Sequence, residues 1–126
     1  MTVPERLFHI TSATEIDASR VHGEYRPAAF GREGFIHCSY ERQVLATADR
    51  IFRGRSGLVL LEIDRQRLAC PVIDENLEGG AELYPHIYGP LSLNAVHAVH
   101  PFPCDASGSF SLPAALNRRG AFQGDW

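Results

Sequence analysis

Gly34-Phe35-Ile36-His37-Cys38-Ser39 is the stretch around which the chain is organised. Aromatic and β-branched residues entered through a glycine predict a short β-strand. Side chains alternate along a strand, so Phe35, His37 and Ser39 share one face and Ile36 and Cys38 the other. A histidine and a serine two apart on one face, where a strand gives way to a helix, suit a ligand site. His37 and Cys38 are expected to point in opposite directions, which argues against a thiol–imidazole pair.

Upstream, Leu7-Phe8-His9-Ile10-Thr11 predicts a first strand, with Phe8 and Ile10 on one face and His9 and Thr11 on the other. Ser12-Ala13-Thr14-Glu15 has the capping-box pattern and starts a helix expected to run to about His22 and stop at Gly23. Arg26 precedes a proline and is expected on extended backbone; residues 28–33 read as a loop.

Downstream, Ser39 is expected to cap a helix over about 40–53. Its buried stripe is Tyr40, Val44, Ala48, Ile51 and Phe52. Leu58-Val59-Leu60-Leu61-Glu62-Ile63 predicts a central strand covered on both faces. Residues 70–73 predict an edge strand that tolerates Pro71, and 74–81 a loop. Residues 82–90, aromatic and broken by proline, suit a loop lining a site. Residues 94–102 predict the last strand. Strands separated by short helices imply an α+β fold of about six strands and two main helices. One domain over 1–103 is expected, followed by an irregular tail, 104–126, whose Phe110, Leu112, Phe122 and Trp126 are candidates to dock.

With 126 residues the chain has room for one core. A hydrophobic fraction of 44% and a charged fraction of 21% are those of an ordinary globular protein. No apolar run is long enough to span a membrane, and the first residues lack a secretory pattern. Three widely spaced cysteines, Cys38, Cys70 and Cys104, suggest reduced thiols and a cytoplasmic location. A net charge of −3 argues against nucleic-acid binding by bulk charge. Every basic residue is arginine, so neither a lysine Schiff base nor a P-loop lysine can operate.

Among the histidines, His9, His37 and His86 stand out by context. His9 and His37 are each followed two residues on by a hydroxyl, Thr11 or Ser39. Three histidines could bind zinc, but no metal-ligand spacing supports it, so no metal is expected. No Gly-x-Ser-x-Gly elbow supports a serine hydrolase. For nucleotide binding, Arg26, Arg32, Arg53 and Arg55 offer guanidinium groups for phosphates, and Tyr25, Tyr84 and Tyr88 offer rings for stacking. Glycine-rich phosphate loops are absent.

The motifs Phe8-His9-Ile10-Thr11, Gly34 to Ser39, Phe52-Arg53-Gly54, Leu58 to Asp64 and Tyr84 to Leu91 together resemble the domain-of-unknown-function family 952, small bacterial proteins. The resemblance runs from about Leu7 to Phe102. That family in turn resembles the ADP-ribosyltransferase superfamily, nearest the RNA 2′-phosphotransferase branch. His9-Ile10-Thr11 matches its His-Gly-Thr motif, Ile36-His37-Cys38-Ser39 its Val-His-Leu-Ser motif, and Val59 to Asp64 its Val-Leu-x-Ile-Asp-like strand.

The resemblance implies a split β-sheet holding NAD in its cleft. It implies that His9 and Thr11 touch the adenosine or ribose end, that His37 and Ser39 line the nicotinamide-ribose side, and that Arg26 and Arg53 hold an attacking phosphate. The third motif, with Tyr84, Pro85 and His86, replaces the glutamate of protein-modifying relatives, which argues against transfer onto a protein side chain. On this reading His37, His86 and Arg53 are catalytic, while His9, Thr11, Arg26, Ser39, Tyr84 and Tyr88 bind a nucleotide-type small molecule, with a phosphorylated acceptor. A nucleotide-binding module without chemistry, and a small-molecule enzyme reusing the histidine cleft, are the alternatives.

Overall fold

The computed structural model describes residues 6–77 and 79–116. It is an α+β structure of small antiparallel sheets and few helices. The strands are β1 (Leu7–Ser12), β2 (Glu24–Tyr25), β3 (Ile36–His37), β4 (Leu58–Ile63), β5 (Val72–Glu75), β6 (Tyr84–Ile87), β7 (Leu91–Ser92) and β8 (Val96–Pro101). The helices are α1 (Ala13–Ser19), α2 (Phe30–Glu33) and α3 (Val44–Ile51).

One sheet has the order β1-β4-β8, with His9 opposite Leu61 and Leu61 opposite Val99. Its centre, β4, is the apolar run: Leu60, Leu61 and Ile63 are wholly buried, so both faces are covered as predicted. A second sheet has the order β3-β6-β5 and sets His37, His86 and Ile73 in one row. The short β2-β7 pair completes the strands. The two larger sheets meet at one bridge. Phe8 N–H donates to the Ser39 carbonyl and Ser39 N–H to the Phe8 carbonyl, both at 2.8 Å.

Alternation along β1 divides the core. Leu7 joins Ile36, Cys38, Leu61, Ile63, Ile87 and Leu91 in one apolar cluster. Phe8 turns the other way, toward Val44 and Ala48 of α3, Leu60, Phe102, Phe110 and Leu116. Phe110 stacks on Phe102 at 4.9 Å between ring centroids. The chain beyond residue 103 is therefore part of the fold as far as Leu116, and burying one such side chain contributes about 1.5–3 kcal/mol. Phe122 and Trp126 lie outside the described residues.

Local chemistry explains where elements differ from expectation. Ser12 caps α1 through its hydroxyl, which accepts from Glu15 N–H at 3.1 Å, but the helix ends at Ser19 and turns to reach Gly23. The second helix is shorter too. A 3-10 turn over Glu41–Gln43 precedes α3, and the cap is Tyr40, whose N–H donates to the Gln43 side chain at 2.9 Å. Ser39 cannot serve there because its backbone is committed to Phe8. Residues 28–33, expected as loop, hold α2, which Gly34 closes at φ 80.

The largest difference is β6, a central strand where a loop was expected. Pro85 lacks an N–H, so it gives its neighbour β3 only a carbonyl, which accepts from Cys38 N–H at 3.1 Å. The missing donor falls where β3 stops. With β6 in place, its partner β5 extends to Glu75, through residues also expected as loop.

Candidate functional site

A cavity of about 330 Å³ opens beside the Phe8–Ser39 bridge. It is lined from β1, β3, β5, β6, α2 and α3. Its volume is at the lower end for small-molecule sites.

On the β1 side His9 is buried and fully engaged. Its Nδ1 lies 2.6 Å from the His37 carbonyl oxygen and its Nε2 2.9 Å from the Tyr25 hydroxyl. A carbonyl can only accept, so Nδ1 carries the proton and donates it. Burial lowers the His9 pKa to about 4, so near neutral pH the ring is uncharged and Nε2 accepts. The Tyr25 hydroxyl must then donate to His9. Its oxygen is left to accept from Thr11, 2.9 Å away. Burial raises the Tyr25 pKa, which keeps that proton in place. His9, Tyr25 and Thr11 thus form one directed chain of hydrogen bonds. Ser39 is also buried on the wall, its Oγ 3.5 Å from Thr47 Oγ1.

The other side is a cluster of rings on one face of the β3-β6-β5 sheet. Phe35 stacks on His86 at 4.4 Å and 19°, and meets His37 edge-on at 4.8 Å. His37 and His86 meet edge-on at 5.0 Å. Each imidazole has its own carboxylate: His37 Nε2 donates to Glu33 at 3.0 Å and His86 Nδ1 to Glu75 at 3.0 Å. The same Glu75 oxygen accepts from the Tyr88 hydroxyl. These bonds, Tyr88 first and His86 second, hold the Glu75 carboxyl below its usual range. His37 is 45% exposed, whereas the His86 side chain is 4% exposed. Cys38, directed away as expected, is buried, and burial pushes its thiol pKa up, so it is inert.

Of the residues singled out in the sequence, His9, Thr11, His37, Ser39, Tyr84 and His86 share this cavity. Tyr88 stands behind the wall, bonded to Glu75 and 5.3 Å from Phe35. Arg26 and Arg53 are elsewhere. Arg26 pairs with Glu24 at 3.0 Å and lies over Phe30. Arg53 is exposed, its stem against Gly108 and its charge felt by Asp105. The reason is the early end of α3: Arg53 falls in the turn after it and follows the segment at 105–110. Arg50 and Arg55 are the arginines on the wall. Among the described residues, no three His, Cys, Asp or Glu side chains are grouped to hold a metal ion.

The residues 10–99 match the model of a family described as protein of unknown function, DUF952. The chain belongs to that family. Among solved structures, this DUF952 chain is similar to the X-ray structure of protein CC0527 from Caulobacter crescentus. That match has 33% identity over 89% of this chain and 98% of the other, with a TM-score of 0.79. The solution NMR structure of CC0527 matches at 34% identity over 85% and 92%, with a TM-score of 0.74. No curated protein matches. Among the described residues, no helix of this DUF952 member is long and apolar enough to cross a membrane.

Two residues important to the DUF952 cavity escaped the sequence reading. Glu33 and Glu75 orient the two imidazoles, yet both fell in segments read as loop. For Glu75 the signal is its spacing: it is two positions beyond Ile73, so a strand continued past Ile73 sets both on one face.

Proposed function

We propose that the cavity takes a nucleotide of the NAD or ADP-ribose type, and that the protein is a transferase of the ADP-ribosyl kind acting on NAD. One observation carries this reading: six residues of three distant motifs converge on a single hollow. The motif resemblance to ADP-ribosyltransferases adds to it. The donor set fits such a substrate. The Thr11 and Ser39 hydroxyls and a cluster of aromatic rings suit a nucleoside half, and Arg50 and Arg55 suit its phosphates. A volume of about 330 Å³ suits one nucleoside half, leaving the other toward the opening.

Cleaving the nicotinamide–ribose bond develops oxocarbenium character, which hydrogen bonds fixed in advance favour. The chain Thr11–Tyr25–His9–His37 carbonyl uses its own protons internally and so holds the wall fixed; what it leaves for the ribose is the Thr11 oxygen, whose lone pairs favour positive charge. A binding module without turnover is the second reading, and the placement of Arg26 and Arg53 outside the cavity favours it. The test is calorimetric titration with NAD, ADP-ribose and ATP, followed by a nicotinamide-release assay with and without a 2′-phosphorylated RNA end. Binding of NAD or ADP-ribose is expected. No heat with either refutes both readings; binding without release leaves the module.

A further inference from the structure

Glu75 and His86 together have a chemistry that nucleotide binding does not use. Glu75 is held ionised by two donors, Tyr88 and His86. A carboxylate can only accept, so Nδ1 of His86 carries a proton, and the neutral form of the ring presents a lone pair on Nε2. That Nε2 has no hydrogen-bond partner among the described residues, and it is not among their buried unpaired atoms. It therefore keeps a small exposure, on a residue that forms the cavity wall. The ring cannot swing, because Phe35 stacks on it and His37 abuts it.

We propose that Glu75 and His86 act as a carboxylate–imidazole base toward an oxygen nucleophile, so that the acceptor is water or an alcohol hydroxyl. This rests on the NAD reading of the cavity. A phosphate acceptor is already anionic and needs cations, and the two arginines expected to hold it lie outside. A hydroxyl is neutral near pH 7 and needs a base, which His86 offers. In the reaction the bond from ribose C1′ to the nicotinamide nitrogen breaks, its electron pair leaving with neutral nicotinamide. A bond forms from C1′ to the acceptor oxygen. The acceptor's proton passes to His86 Nε2 and on to solvent. No oxidant or reductant is required.

The first readout needs no substrate. Nitrogen-15 NMR of the free protein should show the neutral His86 ring with its proton on Nδ1, and Glu75→Gln should shift it toward a mixture. A proton on Nε2 in the wild type overturns the proposal. The second readout is nicotinamide release from NAD in water and in water with methanol. Wild type should release nicotinamide and form a methyl riboside when methanol is present. His86→Asn, which keeps a donor for Glu75 but no base, should slow release about 100-fold or more while NAD affinity changes little. Glu75→Gln, at a more open position, should slow release and move the acid limb of its pH profile. Binding of NAD without release, or release unaffected in both variants, overturns this proposal and leaves the binding reading standing. Absence of NAD binding overturns both.

Discussion

Replacing His9 with glutamine is expected to flatten the acid side of the stability profile. An imidazole has a pKa of 6.5 in the unfolded chain, and burial lowers that of His9 to about 4 in the fold. Between those values the unfolded chain binds a proton that the folded protein does not. The stability that His9 carries is thus whole above pH 6.5 and is lost as pH falls toward 4. At about 1.36 kcal/mol per pH unit, the full loss is roughly 3 kcal/mol. Urea unfolding of wild type and His9→Gln, at half-unit steps from pH 4 to 8, isolates this slope from that of the carboxylates, which both proteins share. A glutamine side chain does not titrate, so the difference in stability between the two proteins should shrink by roughly that amount on going from pH 7 to 4. A difference constant with pH would show that His9 titrates in the fold much as it does unfolded, and the directed chain through Tyr25 would have to be abandoned.

Tyr25→Phe removes the donor to His9 Nε2 and leaves a buried acceptor unpaired; thermal or urea unfolding should show a loss of about 1–3 kcal/mol, and no loss would mean that water replaces the hydroxyl. Gly89→Ala sets a methyl group onto Cys70 Sγ; unfolding should be easier, and Cys70→Ala in the same chain should restore part of the loss, since the Cys70 Cβ stays close. His37→Ala, at a side chain 45% exposed, should leave unfolding within about 1 kcal/mol of wild type and weaken nucleotide binding in calorimetry. A variant that unfolds outright would make His37 structural.

Alternation is legible where an element buries one face, and an unbroken apolar run where it buries both. The alternation of β1 was readable because Phe8 and His9 face different surroundings, and it placed His9 and Thr11 together correctly. The apolar run of β4 was readable because both of its faces are covered. What escaped was set by contacts distant in sequence. Pro85 marks a loop by every local rule, yet β6 tolerates it because β3 is too short to need the donor that Pro85 lacks. The cap of the second helix depends on Ser39 being bonded to Phe8, thirty-one positions away. The carboxylates Glu33 and Glu75 are ordinary surface residues in sequence; only pairing of β5 with β6, and the turn of α2 above His37, gives each an imidazole. Arginine positions are not legible locally, since their long stems follow whatever segment carries them.

The placement of the three thiols has a practical use. Cys70 and Cys104 are part-exposed, whereas Cys38 sits in the interior one position from His37. A thiol reagent should therefore modify two sulfurs quickly and the third only when the strand beside the ring cluster lifts away. The rate of that slow third modification is a clock for breathing of the cavity wall, legible by mass spectrometry without adding any label to the chain.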